Sequence, residues 1–247
     1  MKKLIPIMLT LILFSCRDKE PDEDELKSPQ LELNLYANYD GQPLSFSDTY
    51  LTQEGYRIQF TKFNFILTAF KDGNTQLFES AVYKYDDHPH LIRRIDGDYT
   101  KFNNLIGYLG VPESENHRDP AARPLTDPLN IMNTGDMHWG WNPGYIFLMI
   151  EGRIDTTGVD GSPLSQFFLY HVGFNPFLRD LTFSDITWLK KSDDLHELRF
   201  GVDLAKVFNG NETVDIKNER SSHTNPGEEP LSQKIISNFI DALYLLD

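Results

Sequence analysis

Apolar and polar positions alternate with period two along much of this chain. Leu31-Glu32-Leu33-Asn34-Leu35-Tyr36 is the clearest case, with one apolar and one polar face, as a half-buried strand requires. Tyr56–Phe60 alternates in the same way. Phe63–Phe70 is a more continuous apolar run, closed by the turn residues Lys71-Asp72-Gly73-Asn74. Gln76–Tyr85, Lys101–Leu109, Gly144–Glu151, Gln166–Gly173 and Glu197–Val202 read as further strands. Helical spacing is confined to Asp203–Phe208, with Asp203 as cap, and to Leu231–Leu246. In the second segment Ile235, Ile236, Phe239, Ile240, Leu243 and Leu246 recur on one side. Short strands with turn signals between them predict an all-β fold, a β-sandwich of mostly antiparallel strands with long loops and a C-terminal helix packed on it. No repeat or linker divides residues 30–247, which are enough for one sizeable core. Two loops stand out: Pro112–Asn133, with four prolines, and Ser221–Pro230. Loops of that length in compact domains tend to carry function.

The chain opens differently. Lys2 and Lys3 precede an apolar stretch, Leu4–Phe14, that is too short for a permanent membrane span and is followed by Ser15-Cys16. Residues 1–16 therefore read as an export signal ending at Cys16, the lipid-acceptor position of a bacterial lipoprotein. An ordinary signal peptide is the other reading. Residues 17–29 are a charged tether without apolar periodicity; its acidic run resembles the surface-export signals of Bacteroidetes lipoproteins, and a plain spacer is the other reading. The expected location is the outer membrane or cell surface, lipid-anchored and facing the periplasm or the exterior.

Cys16 is the sole cysteine, so a lipidated chain has no disulfide and no thiolate metal site. The net charge of −14 becomes −16 once Lys2 and Lys3 are removed, which excludes nucleic acid as a partner and favours cations.

The densest chemistry lies in Asp136–Gly152, where His138 sits beside Trp139 and Trp141 before an apolar strand. If Gly144–Glu151 and Gln166–Gly173 pair antiparallel around the Gly152–Ser165 loop, Glu151 falls near Gln166 and Ile146 near His171. That register brings His171 to the end of the sheet where His138 arrives, and His117 in the preceding loop can close over them. Each residue also has a structural role open to it: His171, following Phe167 and Leu169 on one face, as a hydrogen-bonded core residue, His117 as a loop residue, and the tryptophans as core caps. His88 and His90 read as a surface loop, and His196 and His223 carry no signal.

The motifs N-H-R-D-P-A-A-R-P-L (Asn116–Leu125), P-L-N (Pro128–Asn130), M-H-W-G-W-N-P-G-Y-I-F-L-M-I-E-G (Met137–Gly152) and Y-H-V-G (Tyr170–Gly173) occur in that order. With F-T-K-F-N-F-I-L (Phe60–Leu67) and I-S-N-F (Ile236–Phe239), they resemble the MbnP-like family of copper-associated periplasmic or surface proteins. The resemblance covers most of residues 30–247. It implies a secreted β-sandwich that binds copper, in some members with a MauG-like di-haem partner that oxidises a tryptophan. Carried over by position, it implies His171, His138 and His117 as metal ligands and Trp139 and Trp141 as redox or modified tryptophans.

Two functions follow as expectations. The first is a copper-binding envelope lipoprotein for copper acquisition or handling. The second is a cell-surface ligand-binding or adhesion module that keeps the fold without a metal. An enzyme is not expected, because G-x-S-x-G, H-E-x-x-H and phosphate-binding glycine loops are all missing.

Overall fold

The computed structural model describes residues 28–86, 88–140, 143–159 and 161–247. The signal segment, Cys16, nearly all of the tether and Trp141 lie outside the described residues.

Two sheets pack on one another. In the larger, the strand order is Arg179–Phe183, Leu105–Leu109, Arg57–Asp72, Gly144–Asp155, Gln166–Gly173 and Ser221–Ser222, with Thr75–Lys84 on the other side of the central strand. The smaller runs Leu189–Lys190, Leu195–Asp203, Gln30–Tyr39, with Leu91–Asp96 and Leu243–Leu245 alongside. Pairing is antiparallel except at Gln30–Tyr39 with Leu195–Asp203 and Gln166–Gly173 with Ser221–Ser222 among the described strands. The alternation of Leu31, Leu33 and Leu35 puts all three at 0% exposure between the sheets. Phe60, Ile150, Phe168 and Tyr170 of the larger sheet belong to the same buried core, each burial stabilising by about 2–3 kcal/mol.

Three expectations change. Tyr56–Phe60 and Phe63–Phe70 are one strand, Arg57–Asp72, because an irregularity between Phe60 and Lys62 restores Phe63 to the inner face. The C-terminal helix runs only over Glu229–Ala242, burying Ile235, Ile236 and Phe239, the last against Phe63 and Phe65. Leu243–Leu245 then turns extended and pairs with Phe200–Val202, so Leu243 and Leu246 leave the helical face. Asp203 does bond the first turn of its short helix, Ala205–Phe208, accepting from Ala205 N at 3.0 Å.

The third correction bears on function. Gly144–Glu151 continues as a strand to Asp155, and the hairpin register moves by three residues: Gln166 faces Ile154, and His171 faces Met149. Gly152 is not a loop signal. A Cβ there would sit 2.2 Å from the Phe168 ring, so glycine is what lets that aromatic cross the strand. The face assignment also reverses. Phe168, Tyr170 and Val172 point into the core, and Phe167, Leu169 and His171 share the outer side.

Candidate functional site

The outer side of the Gly144–Asp155 strand carries two histidine environments. The first belongs to the excursion after Leu109, which folds back over Tyr145 and Phe147. Gly144 has φ +78°, and a Cβ there would lie 2.4 Å from Asn116 Oδ1, so only glycine admits the contact. Asn116, fully buried, accepts from Tyr145 N at 2.8 Å and donates to Asn175 Oδ1 at 3.0 Å. Tyr145 OH donates to Leu129 O at 2.6 Å, and Ile146 N to Met137 O at 3.0 Å. These bonds seat His138, whose ring meets Tyr145 edge-on at 4.7 Å. Gly140 N–H donates to His138 Nδ1 at 3.0 Å, which places the proton of the neutral ring on Nε2. Nε2 is buried with no partner. Burial pushes the His138 imidazolium down from its usual pKa, opposed by Asp119. His117, exposed, accepts at Nε2 from Asn175 Nδ2 at 3.3 Å. Trp139 is half-buried against the Cα of Gly173 and tilts over Phe174 at 5.4 Å.

The second environment surrounds His171. Glu151 lies diagonally across the hairpin on the same side, and its Oε1 stands 2.7 Å from His171 Nε2. A carboxylate only accepts, so Nε2 donates and the lone pair of the neutral ring lies on Nδ1. That hydrogen bond is the chief cause that holds the Glu151 carboxyl below the usual glutamate range, with Lys62 and His223 adding to it. His223 packs edge-on against His171, centroids 4.8 Å apart at 83°. Nothing in the linear pattern singles out His223 or pairs Glu151 with His171. The local signal that exists is the polar Pro/Gly loop, and the contact itself requires the parallel return of Ser221–Ser222 beside Leu169–Tyr170.

Neither His138 nor His117 has a bond or ring contact with His171 among the described residues. His90 stacks on Tyr36 and His196 on Tyr99, away from this corner. Among the described residues no group of three or more His, Cys, Asp or Glu side chains is arranged around a metal position. Donor chemistry nonetheless separates the candidates. A neutral imidazole ligates through its lone pair. At His138 and His117 that lone pair accepts an N–H, and at His171 it is unspent while a carboxylate backs the opposite nitrogen. The last is the usual arrangement behind a metal-ligating histidine. His171 therefore fits copper, and His138 and His117 do not in these conformations.

Fold and site together define an all-β sandwich with a carboxylate-backed histidine corner beside a tryptophan-bearing flap. A family model described as MbnP matches residues 28–226, and the chain belongs to the MbnP family. Among solved structures, MbnP from Methylosinus trichosporium is similar, with 15% identity and a TM-score of 0.49 over 76% of this chain and 80% of that one. No curated protein matches the chain.

Proposed function

We propose that this protein is a copper-binding lipoprotein of the cell envelope, anchored through Cys16, that acquires or handles copper without catalytic turnover. The observation that carries the reading is the Glu151–His171 hydrogen bond, which fixes one tautomer and leaves a lone pair for a metal. Family membership supports the same reading. Imidazole is a good copper ligand, and the net charge of −14, or −16 once Lys2 and Lys3 are removed with the signal, favours cations over anions. A MauG-like di-haem protein is the proposed partner, with Trp139 and Trp141 as the groups it would address. The test is metal analysis of full-length protein purified from copper-supplemented cells, beside His171→Ala. The expected result is stoichiometric copper in the wild type and its loss in the variant. Copper-free wild-type protein would sink the reading. Palmitate labelling that survives Cys16→Ser would remove the anchor.

A further inference from the structure

We infer that the copper is held between His171 and His223, as a two-nitrogen site with Glu151 behind the first ring. This rests on the copper reading and adds the second ligand.

The loop that carries His223 is built to place it. Ser221–Ser222 runs parallel beside Leu169–Tyr170, so the chain arrives alongside the His171 strand. Glu228 then accepts from the backbone of His223 at 2.8 Å and of Asn225 at 3.1 Å, which closes the loop around the histidine. The next residue, Thr224, has φ +59°, a left-handed conformation that β-branched side chains avoid. It is held there by local bonds. Its N–H donates to Ser222 Oγ at 3.1 Å, its hydroxyl donates to the His171 carbonyl at 3.0 Å, and Ser232 Oγ lies 3.0 Å from that hydroxyl. Backbone strain enforced in this way clusters where a side chain must be aimed. The bond from Thr224 to the His171 backbone ties the two histidines into one unit.

The ring nitrogens complete the case. No hydrogen bond among the described residues uses either ring nitrogen of His223 or Nδ1 of His171. The adjacent imidazoles thus offer unspent lone pairs in a corner where His171 is 12% exposed and Glu151 20%, reachable from solvent but largely out of it. The facing charges suit a cation. Glu151 and Glu228 border the rings, and Lys62, opposite Glu151, is itself paired with Asp136. Imidazole ligates copper without a thiolate, and the filled d shell of Cu(I) accepts a shell with as few as two nitrogens, so Cu(I) is the ion with which to probe the pair.

The test is anaerobic Cu(I) titration of the full chain against a chromophoric Cu(I) chelator, for wild type, His171→Ala, His223→Ala, His117→Ala and His138→Phe. Urea midpoints without copper serve as the folding control. Wild type is expected to bind one equivalent. His171→Ala and His223→Ala should each weaken binding at least about tenfold, with His117→Ala and His138→Phe within about twofold. In wild-type protein, the ring proton NMR signals of His171 and His223 should shift on adding this diamagnetic ion while those of His138 stay fixed. Undiminished binding by His223→Ala, with loss in His138→Phe or His117→Ala, overturns the pair and leaves the copper reading standing. A wild type that takes up no Cu(I) overturns both.

Discussion

His138 and His171 flank the same outer strand surface, yet their rings are prepared for opposite ends. At His138 the backbone N–H of Gly140 takes the lone pair, and the remaining N–H is sealed in without a partner. At His171 Glu151 takes the N–H and the lone pair is left over. Burial does not make the distinction, because both side chains are half-buried by residue. What separates a core histidine from a ligand is whether a donor or an acceptor meets its other nitrogen.

The comparison breaks most sharply at Gly144. Gly144→Ala forces a left-handed alanine onto Asn116, at an expected cost of about 3 kcal/mol in urea unfolding. Amide exchange at Tyr145 should accelerate, because its acceptor Asn116 is displaced. The Glu151–His171 corner should keep its exchange protection, and a joint loss would mean that the two regions are one unit.

The next effect lies on the other side. Glu151→Gln removes the charge that orients His171, and copper affinity should fall about 10–100-fold in chelator competition, while the neutral-pH unfolding midpoint should drop only by the modest contribution of that one ion-paired hydrogen bond. The same carboxyl, held below its usual pKa, stabilises the fold above the unfolded glutamate pKa of about 4.3 and loses that contribution as pH falls through the folded value. The acid limb of a melting curve should therefore be shallower in the variant.

His138→Phe sharpens the contrast by a smaller amount. The folded pKa of His138 lies below the unfolded value of about 6.5, so the folded state binds fewer protons. Its contribution is present above about pH 6.5 and declines as pH drops towards the folded pKa. At pH 8 the variant should stay within about 1 kcal/mol of wild type, since only the Gly140 bond is lost. Between about pH 7 and 5.5 its melting temperature should hold better than that of wild type; parallel curves would mean that His138 titrates normally. The smallest effect belongs to Lys62→Met. Its pair with Asp136 is partly exposed, at 31% and 48%, and the expected change is within about 0.5 kcal/mol in the same melts.

Much of the fold is legible in the residues. The span Gln166–Gly173 has the bounds its apolar run predicts, and the alternation from Leu31 to Tyr36 sets the inner face of the smaller sheet. The register of the central hairpin is not legible, because Gly152 reads as a turn until Phe168 is seen to occupy the space of its missing Cβ. Nor is the face of His171, since Phe167 and Leu169 on one side and Phe168 and Tyr170 on the other are equally apolar. His223 was invisible as a partner because the bond that brings it near is a two-residue parallel pairing, Leu169–Tyr170 with Ser221–Ser222.

By itself the sequence determined the β class, the single core, the C-terminal amphipathic helix and the MbnP motifs, with His171 among the marked histidines. Those properties rest on local periodicity and residue chemistry, which a linear reading contains. Only the tertiary structure decided which histidines meet, which nitrogen of each is spent, and that Glu151 and His223 rather than His138 surround His171. A strand pattern repeats every two residues, so it carries no record of register, and a shift of three residues both moves and inverts every neighbour.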